Sequence, residues 1–415
     1  MEQSPTIHNE LLRRDFLKRS GAGVLAAGTL GELALGQASR TYKALDPSKK
    51  LRIGVVGGGF GTAFPWHLHP NCQVTAVADL REDRQKRLVE RFNCNNVYGE
   101  FHSMLKDPKV DAVAIFTGAP DHVSHCADVM KSGRHAISAV PAATTLEQCE
   151  QLVETVRKTG QTYMMAETSC FHAPTMMAHR MRVEGTFGRI YYSEGEYLHD
   201  HGSYLVKGNG PEGLMDMFVH DGKRTWRYGN APGLYITHAS GPVIYVTGEK
   251  LVEVAAIGTP IDHPYYKDNQ YRNPFIDITF FFKTSARNSS TIRIHWWTAA
   301  PGREGGDYYG TEACFFEPRA GRPAYVSYAQ QKAEPIEVDD HSWLLPEGMR
   351  EGVKKGHGGA EVFIVNEFVH ACLEQRKPVV DVYQAVAYTA PGLCGQQSAV
   401  KGGAWVKVPD FGAIS

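Results

Sequence analysis

The hydrophobic pattern divides the chain into two kinds of sequence. Between residues 51 and 163 it runs in short, nearly continuous apolar segments, at 53–56, 74–78, 110–116 and 136–138. Such segments are expected of strands buried on both faces of a parallel sheet. Helical patterns separate them, over 81–92, 122–132 and 145–158, with Gly133 as a turn and Thr145, three residues before Gln148, as an N-cap. Beyond residue 185 the period changes to two. The segments 189–197, 251–257, 275–282 and 291–297 read as strands, and Ile276-Asp277-Ile278-Thr279 shows the alternation of a sheet with one buried face. A helix is expected over 361–374, with Val362, Val365, Phe368, Val369 and Cys372 on one face, and two further elements over 383–393 and 403–411.

The first apolar segment runs straight into Gly57, Gly58, Gly59, Phe60 and Gly61, and the second ends at Asp79. Strand, glycines, second strand and terminal acid form a dinucleotide-binding β-α-β unit. Gly57 makes the tight turn, Gly59 admits a pyrophosphate, and the phosphates are expected on a helix N-terminus. Asp79 lies about 20 residues past the glycines, where an acceptor for a ribose 2′-hydroxyl belongs. Its carboxylate would repel a 2′-phosphate, which favours NAD; Arg81 keeps NADP as the lesser alternative. The third fingerprint position holds Thr62 rather than Gly or Ala.

At 415 residues the chain is long enough for two domains, with 42% hydrophobic and 21% charged residues as in ordinary globular proteins. A net charge of −1 argues against a nucleic-acid or membrane-surface partner. Eight scattered cysteines, without CxxC or zinc spacing, read as buried thiols. No metal site is expected; the triplet His199-Asp200-His201 is too local to make one. Arg13-Arg14-Asp15-Phe16-Leu17-Lys18 resembles a twin-arginine export signal, and the Gly/Ala-rich run after it is too short and interrupted to span a membrane. The expected organisation is a signal peptide over 1–38, a linker over 39–50, an NAD-binding domain over 51–163 and a substrate and oligomerisation domain over 164–415, in a periplasmic protein.

The glycine stretch, the segment Thr117 to His122 (T-x-x-P-x-H), the strand closing at Pro141 and Tyr163-Met164-Met165-Ala166-Glu167 together resemble the Gfo/Idh/MocA oxidoreductase family. The resemblance implies an α/β fold: an N-terminal Rossmann domain, then an α+β domain with a large, mostly antiparallel sheet through which homo-oligomers form. It implies cofactor contacts at Gly57, Gly59, Phe60, Gly61, Asp79, Arg81, Thr117, Pro120, His122, Pro141 and Glu167. The family's Glu-Lys-Pro proton-handling motif falls on Ala139-Val140-Pro141, so its Lys and Glu are missing. The Val-Pro variant and the helix Thr237-His238-Ala239-Ser240-Gly241-Pro242 look most like glycoside hydrolase family 109, whose members use a tightly held NAD in a redox-neutral oxidation, elimination and reduction.

That resemblance makes His238 the candidate acid/base, near its reference pKa of about 6.5, and Tyr309, before Gly310-Thr311, its assistant. The family's active-site tyrosine falls on Phe171. His67, which follows the glycine loop, and Trp226, Tyr228, Tyr235 and His357 are the candidate substrate residues; the first two aromatics lie in a long, Gly- and Asn-rich connection over 200–234 of the kind that often binds ligands. The expected substrate is a sugar or glycoside. An exported enzyme has no cofactor pool to exchange with, which favours redox-neutral turnover. The alternatives are a glycosidase proper, or a catalytically impaired sugar-binding homologue.

Overall fold

The computed structural model describes residues 42–200, 218–299, 301–329 and 331–414; the expected signal peptide, the first three residues of the expected linker and the first half of the 200–234 connection lie outside these residues. Six strands form the first sheet: β1 (Leu51–Val56), β2 (Cys72–Ala78), β3 (Val97–Tyr98), β4 (Ala112–Ile115), β5 (His135–Ser138) and β6 (Tyr163–Met165). Their order is β3-β2-β1-β4-β5-β6 and every pairing is parallel. This is the doubly wound dinucleotide-binding arrangement, with its switch point between β1 and β4. Val56 pairs with Ala78 on one side and Ile115 on the other, so the glycine turn and the loop after β4 emerge together. The central strands carry Ile53, Val55, Ala114 and Ile137 with no exposure, as the unbroken apolar runs require. The sixth strand occupies Tyr163–Met165, so the domain boundary read at 163 falls on its first residue.

Helices α1 (Glu82–Phe92), α2 (His122–Lys131) and α3 (Leu146–Thr159) cross between these strands. Thr145 caps α3 by accepting from the Gln148 N–H at 3.2 Å. One expectation fails here. No long helix follows the glycines; the chain makes two 3-10 turns, Phe60–Ala63 and Trp66–Leu68. Gly59 and Gly61 have little helical preference and Pro65 removes a donor between the turns, so a regular helix cannot propagate.

After α4 (Ala173–Val183) comes β7 (Ile190–Leu198), then a small hairpin of β8 (Val219–His220) and β9 (Lys223–Arg224), and helix α5 (Thr237–Thr247). The second sheet adds β10 (Leu251–Pro260), β11 (Phe275–Thr284), β12 (Ser289–His295), β13 (Arg303–Gly310), β14 (Ala313–Phe316), β15 (Ala324–Tyr328), β16 (Glu334–Ile336) and β17 (Val406–Lys407). Its order is β16-β15-β14-β13-β7-β12-β11-β10-β17, antiparallel except for the β12–β7 pair. α5 packs on β7 and β13, and the last long helix, α7 (Val382–Val400), packs on β10; between them in the chain lies α6 (Ala360–Leu373). Gly195 makes the α5 contact possible, since a Cβ there would stand 2.8 Å from the Ala239 carbonyl oxygen. α6 is buried on every side from Ala360 to Cys372, not along one stripe, because it packs between β1, the turn at 168–171 and the 3-10 turn Glu347–Lys354. The opposite face of the large sheet leaves Ile257 and Phe281 exposed. No helix among the described residues is long and apolar enough to cross a membrane.

Candidate active site at the seam of the two sheets

The glycine turn is built for close approach. Gly57 has φ +98°, and a Cβ there would meet the Phe116 carbonyl oxygen at 2.3 Å. A Cβ on Gly59 would meet nothing nearer than the tip of Arg84, at 3.8 Å, so that backbone faces open space. A Cβ on Gly61 would strike the Phe116 ring at 2.9 Å. Buried Asp79 accepts from the Gly58 N–H at 2.7 Å and from the Arg81 N–H at 2.9 Å, which places an acceptor carboxylate against the turn. Arg81 itself pairs with Asp83 at 3.0 Å. These residues fit a dinucleotide. Gly57 to Gly61 would receive its pyrophosphate on bare backbone and Asp79 its adenosine ribose; NAD, when bound, supplies a hydride acceptor at the far end.

The T-x-x-P-x-H segment serves mostly as framework. His122 is buried, with Nδ1 2.8 Å from the Pro141 carbonyl and Nε2 3.2 Å from the Thr117 carbonyl. Both ring nitrogens are engaged, so His122 ties the loops after β4 and β5 together and does not reach a ligand. Thr117 Oγ1 meets His125 Nδ1 at 3.1 Å, and Pro120 opens a 3-10 turn. Trp226 covers this edge: a Cβ on Gly118 would lie 2.9 Å from its indole, and the Arg227 guanidinium stacks on its other side at 4.5 Å.

The chemistry lies where β6 ends. Glu167 was expected at the cofactor edge; it is fully buried, and its Oε1 accepts from His238 Nδ1 at 2.8 Å and from the Ser169 N–H at 3.0 Å. Ser169 Oγ lies 3.3 Å from His238 Nδ1 and donates to Glu304 Oε2 at 3.2 Å; Glu304 Oε2 is 4.0 Å from His238 Nδ1. Tyr197 stacks on the imidazole at 4.9 Å and Tyr235 borders it at 6.2 Å, with its hydroxyl bonded to Arg227. Burial pushes the His238 pKa down, but the Glu167 charge and hydrogen bond, with Glu304 beyond, outweigh it and raise it to about 9. Glu167 moves the other way: burial opposes its ionisation, and the imidazolium wins and lowers its pKa. The pair is therefore carboxylate and imidazolium at neutral pH. The reference value near 6.5 does not apply to this histidine, which is a proton donor before it is a base.

The remaining candidates divide. His357 comes in from the loop before α6: its ring meets Phe60 of the glycine turn at 5.3 Å, and Glu361 holds its Nδ1 at 2.6 Å and raises its pKa. Tyr309 is not at the site. It lies five residues along β13 from Glu304, about 17 Å at the usual rise and on the opposite face by strand parity. There its ring contacts Tyr192 and Phe316. His67 is exposed against Phe92 at the end of α1, so it faces away from the glycine turn. Tyr228 sits under the Arg224 guanidinium at 4.4 Å, near the hairpin rather than the imidazole. Ala139 and Phe171 are buried and carry no proton. Sequence reasoning missed Ser169, Tyr197, Arg227 and Glu304; only strand parity next to Gly305-Gly306 marks Glu304, and parity names no partner. Among the described residues no group of three or more His, Cys, Asp or Glu could hold a metal ion.

Residues 51–167 match the oxidoreductase family with an NAD-binding Rossmann fold, and residues 328–414 match the glycosyl hydrolase 109 C-terminal domain. A glycosyl hydrolase family 109 protein of Parabacteroides distasonis is 28% identical over 97% of this chain and 97% of its own length. An α-N-acetylgalactosaminidase of Shewanella oneidensis is 24% identical over 98% and 96%. Among solved structures, levoglucosan dehydrogenase in complex with NADH and L-sorbose superposes with a TM-score of 0.72 at 19% identity, over 87% of this chain and 100% of that one; the likeness is of fold. Through this NAD-binding Rossmann unit the chain is similar to the Gfo/Idh/MocA oxidoreductases, a family of NAD-dependent enzymes. It shares its C-terminal domain with the glycosyl hydrolase family 109 proteins.

Proposed function

We propose that this chain oxidises and re-reduces a sugar or glycoside on an NAD it does not release, in a redox-neutral cycle that ends in glycoside cleavage or in exchange between two sugars. The observation that carries the reading is the buried Glu167–His238 ion pair, 2.8 Å between Nδ1 and Oε1, at the seam reached by Phe60 of the glycine turn through His357. A sugar hydroxyl against His238 Nε2, which makes no hydrogen bond among the described residues, would meet a fixed proton donor. The names of the relatives, α-N-acetylgalactosaminidase and levoglucosan dehydrogenase, support a carbohydrate substrate. The twin-arginine motif supports export to the periplasm, where retention of the cofactor would be needed. The exposed Ile257 and Phe281 support a homo-oligomer through the large sheet; light scattering that returned the mass of one chain would remove that part.

The test mixes the purified mature protein with nitrophenyl α- and β-glycosides and free sugars. Nitrophenol release and NADH fluorescence are followed in parallel. Sustained release without accumulating NADH is the expected result. NADH that accumulates and leaves the protein would exclude the redox-neutral cycle. Ala139, Val140 and Phe171 favour a second reading, a cofactor-retaining sugar binder with impaired chemistry; it predicts sugar-dependent quenching of bound cofactor with silence in both channels.

A further inference from the structure

Removal of a hydride from a carbinol carbon leaves a hydroxyl proton to be placed, and His238 is badly suited to take it. Its Nδ1 proton points at Glu167, and as an imidazolium it has no lone pair on Nε2. Glu167 is sealed from any ligand, with no exposed surface. We propose that Glu304 is the proton acceptor of this site, held in place by Ser169 and by the His238 ring beside it. This rests on the oxidoreductase reading above and names the base of that same site.

Four observations carry it. Glu304 enters from β13 with its side chain 20% exposed, against 0% for Glu167. Its Oε2 is fixed by Ser169 Oγ at 3.2 Å and lies 4.0 Å from His238, while among the described residues Oε1 has no protein partner. Among the same residues it has no Lys or Arg ion pair. Its neighbour Arg303 points to the other face of the sheet, into Glu196 and Asp307. The other titratable groups around it are each biased by burial or bound to a partner. After β6, burial lowers the pKa of His172; on β7 it raises that of the Tyr197 phenol, and just past the strand it lowers that of His199. Ahead of α5, Tyr235 is bonded to Arg227, whose positive charge acts on the same cluster. His357, before α6, is committed to Glu361.

The balance closes on these residues. As the C–H hydrogen leaves with its electron pair, the O–H pair becomes the second bond of a carbonyl and the proton passes to Glu304 Oε1. Glu304 becomes a neutral acid, and the cluster of two carboxylates and one imidazolium goes from one net negative charge to none. The reverse half returns the proton from the same oxygen.

Two measurements test it. In protein labelled at its histidine rings, NMR should find His238 as imidazolium at neutral pH, and Glu304→Gln should lower its pKa by removing the second carboxylate. A neutral His238 imidazole in the wild type would overturn the assignment, since the ring would then be the better base, and this holds whether or not a substrate is found. The second measurement uses the sugar that gives the most NADH fluorescence. Glu304→Gln should slow single-turnover cofactor reduction by about 100-fold with bound NAD per chain unchanged, and added formate should partly restore Glu304→Gly. Wild-type reduction rates in Glu304→Gln would overturn it. If the wild type reduces its cofactor with no sugar, the proposed function fails and the histidine titration alone decides Glu304.

Discussion

Arg303 and Glu304 are consecutive, and the two faces of β13 put them into opposite kinds of charge cluster. On the outer face, every carboxylate oxygen of Glu196 and Asp307 has a donor: Arg293 and Arg303 with Arg319 on Glu196, and Arg303, the Glu317 N–H and Arg319 on Asp307. On the inner face, one imidazolium is shared by Glu167 and Glu304, one carboxylate sealed and one open. A buried network whose carboxylates are each held by several guanidiniums makes structure. A network one charge short of balance keeps a group whose protonation can change, which is what catalysis needs.

The comparison can be pushed at both ends. The largest effect is expected on the inner face: His238→Ala should lower turnover by about 100-fold or more while bound NAD per chain, read by absorbance after denaturation, stays the same. Full activity in that variant would remove His238 from the chemistry. On the outer face, Arg303→Ala strands Glu196 and Asp307 in a buried site. It should destabilise the fold by about 3–5 kcal/mol, read as a shift in denaturant midpoint; an unshifted midpoint would mean that Arg319 and Arg293 suffice.

pH sharpens the contrast. The His238 pKa is raised from its ordinary value of 6.5 to about 9, so the stability it contributes is complete below 6.5 and is lost as pH rises through 9. The Glu167 pKa is lowered, so its contribution is complete above the ordinary 4.5 and is lost as pH falls below that. The stability difference between wild type and His238→Gln should therefore be greatest between these ordinary values and should shrink toward pH 9. A difference that grows with alkalinity would contradict the ion pair. The smallest effect belongs to Tyr309→Phe, which should leave turnover within about twofold, as expected of a side chain outside the site; a large loss would return Tyr309 to the site by a route the fold does not show.

The two halves of the site were unequally legible. The cofactor half is local. Gly57, Asp79 and Thr117 follow consecutive strands of one sheet, so motif order alone places them. Even there, His122 and Glu167 stand in the expected neighbourhood with polar atoms turned to other protein groups: whether a ring nitrogen or a carboxylate faces a ligand or a second loop depends on what packs behind it. The catalytic half draws on β6, β7, α5, β13 and the loop before α6, more than a hundred residues apart. His238 was found by its motif. Its charge was misjudged because its partner lies 71 positions away.

What the sequence determines by itself is periodicity and backbone. Continuous apolar runs specify a parallel sheet, alternation specifies a sheet with one open face, and glycines specify where a backbone turns left-handed or admits a neighbour. Those properties belong to single residues and their near neighbours. The tertiary structure decides which side chains share a dielectric. It brought Glu304 of β13 to Ser169 and His238, stacked Tyr197 on the imidazole, and buried Glu167 against His238. Charge interaction depends on distance and desolvation, and neither exists along the chain until distant strands are brought together.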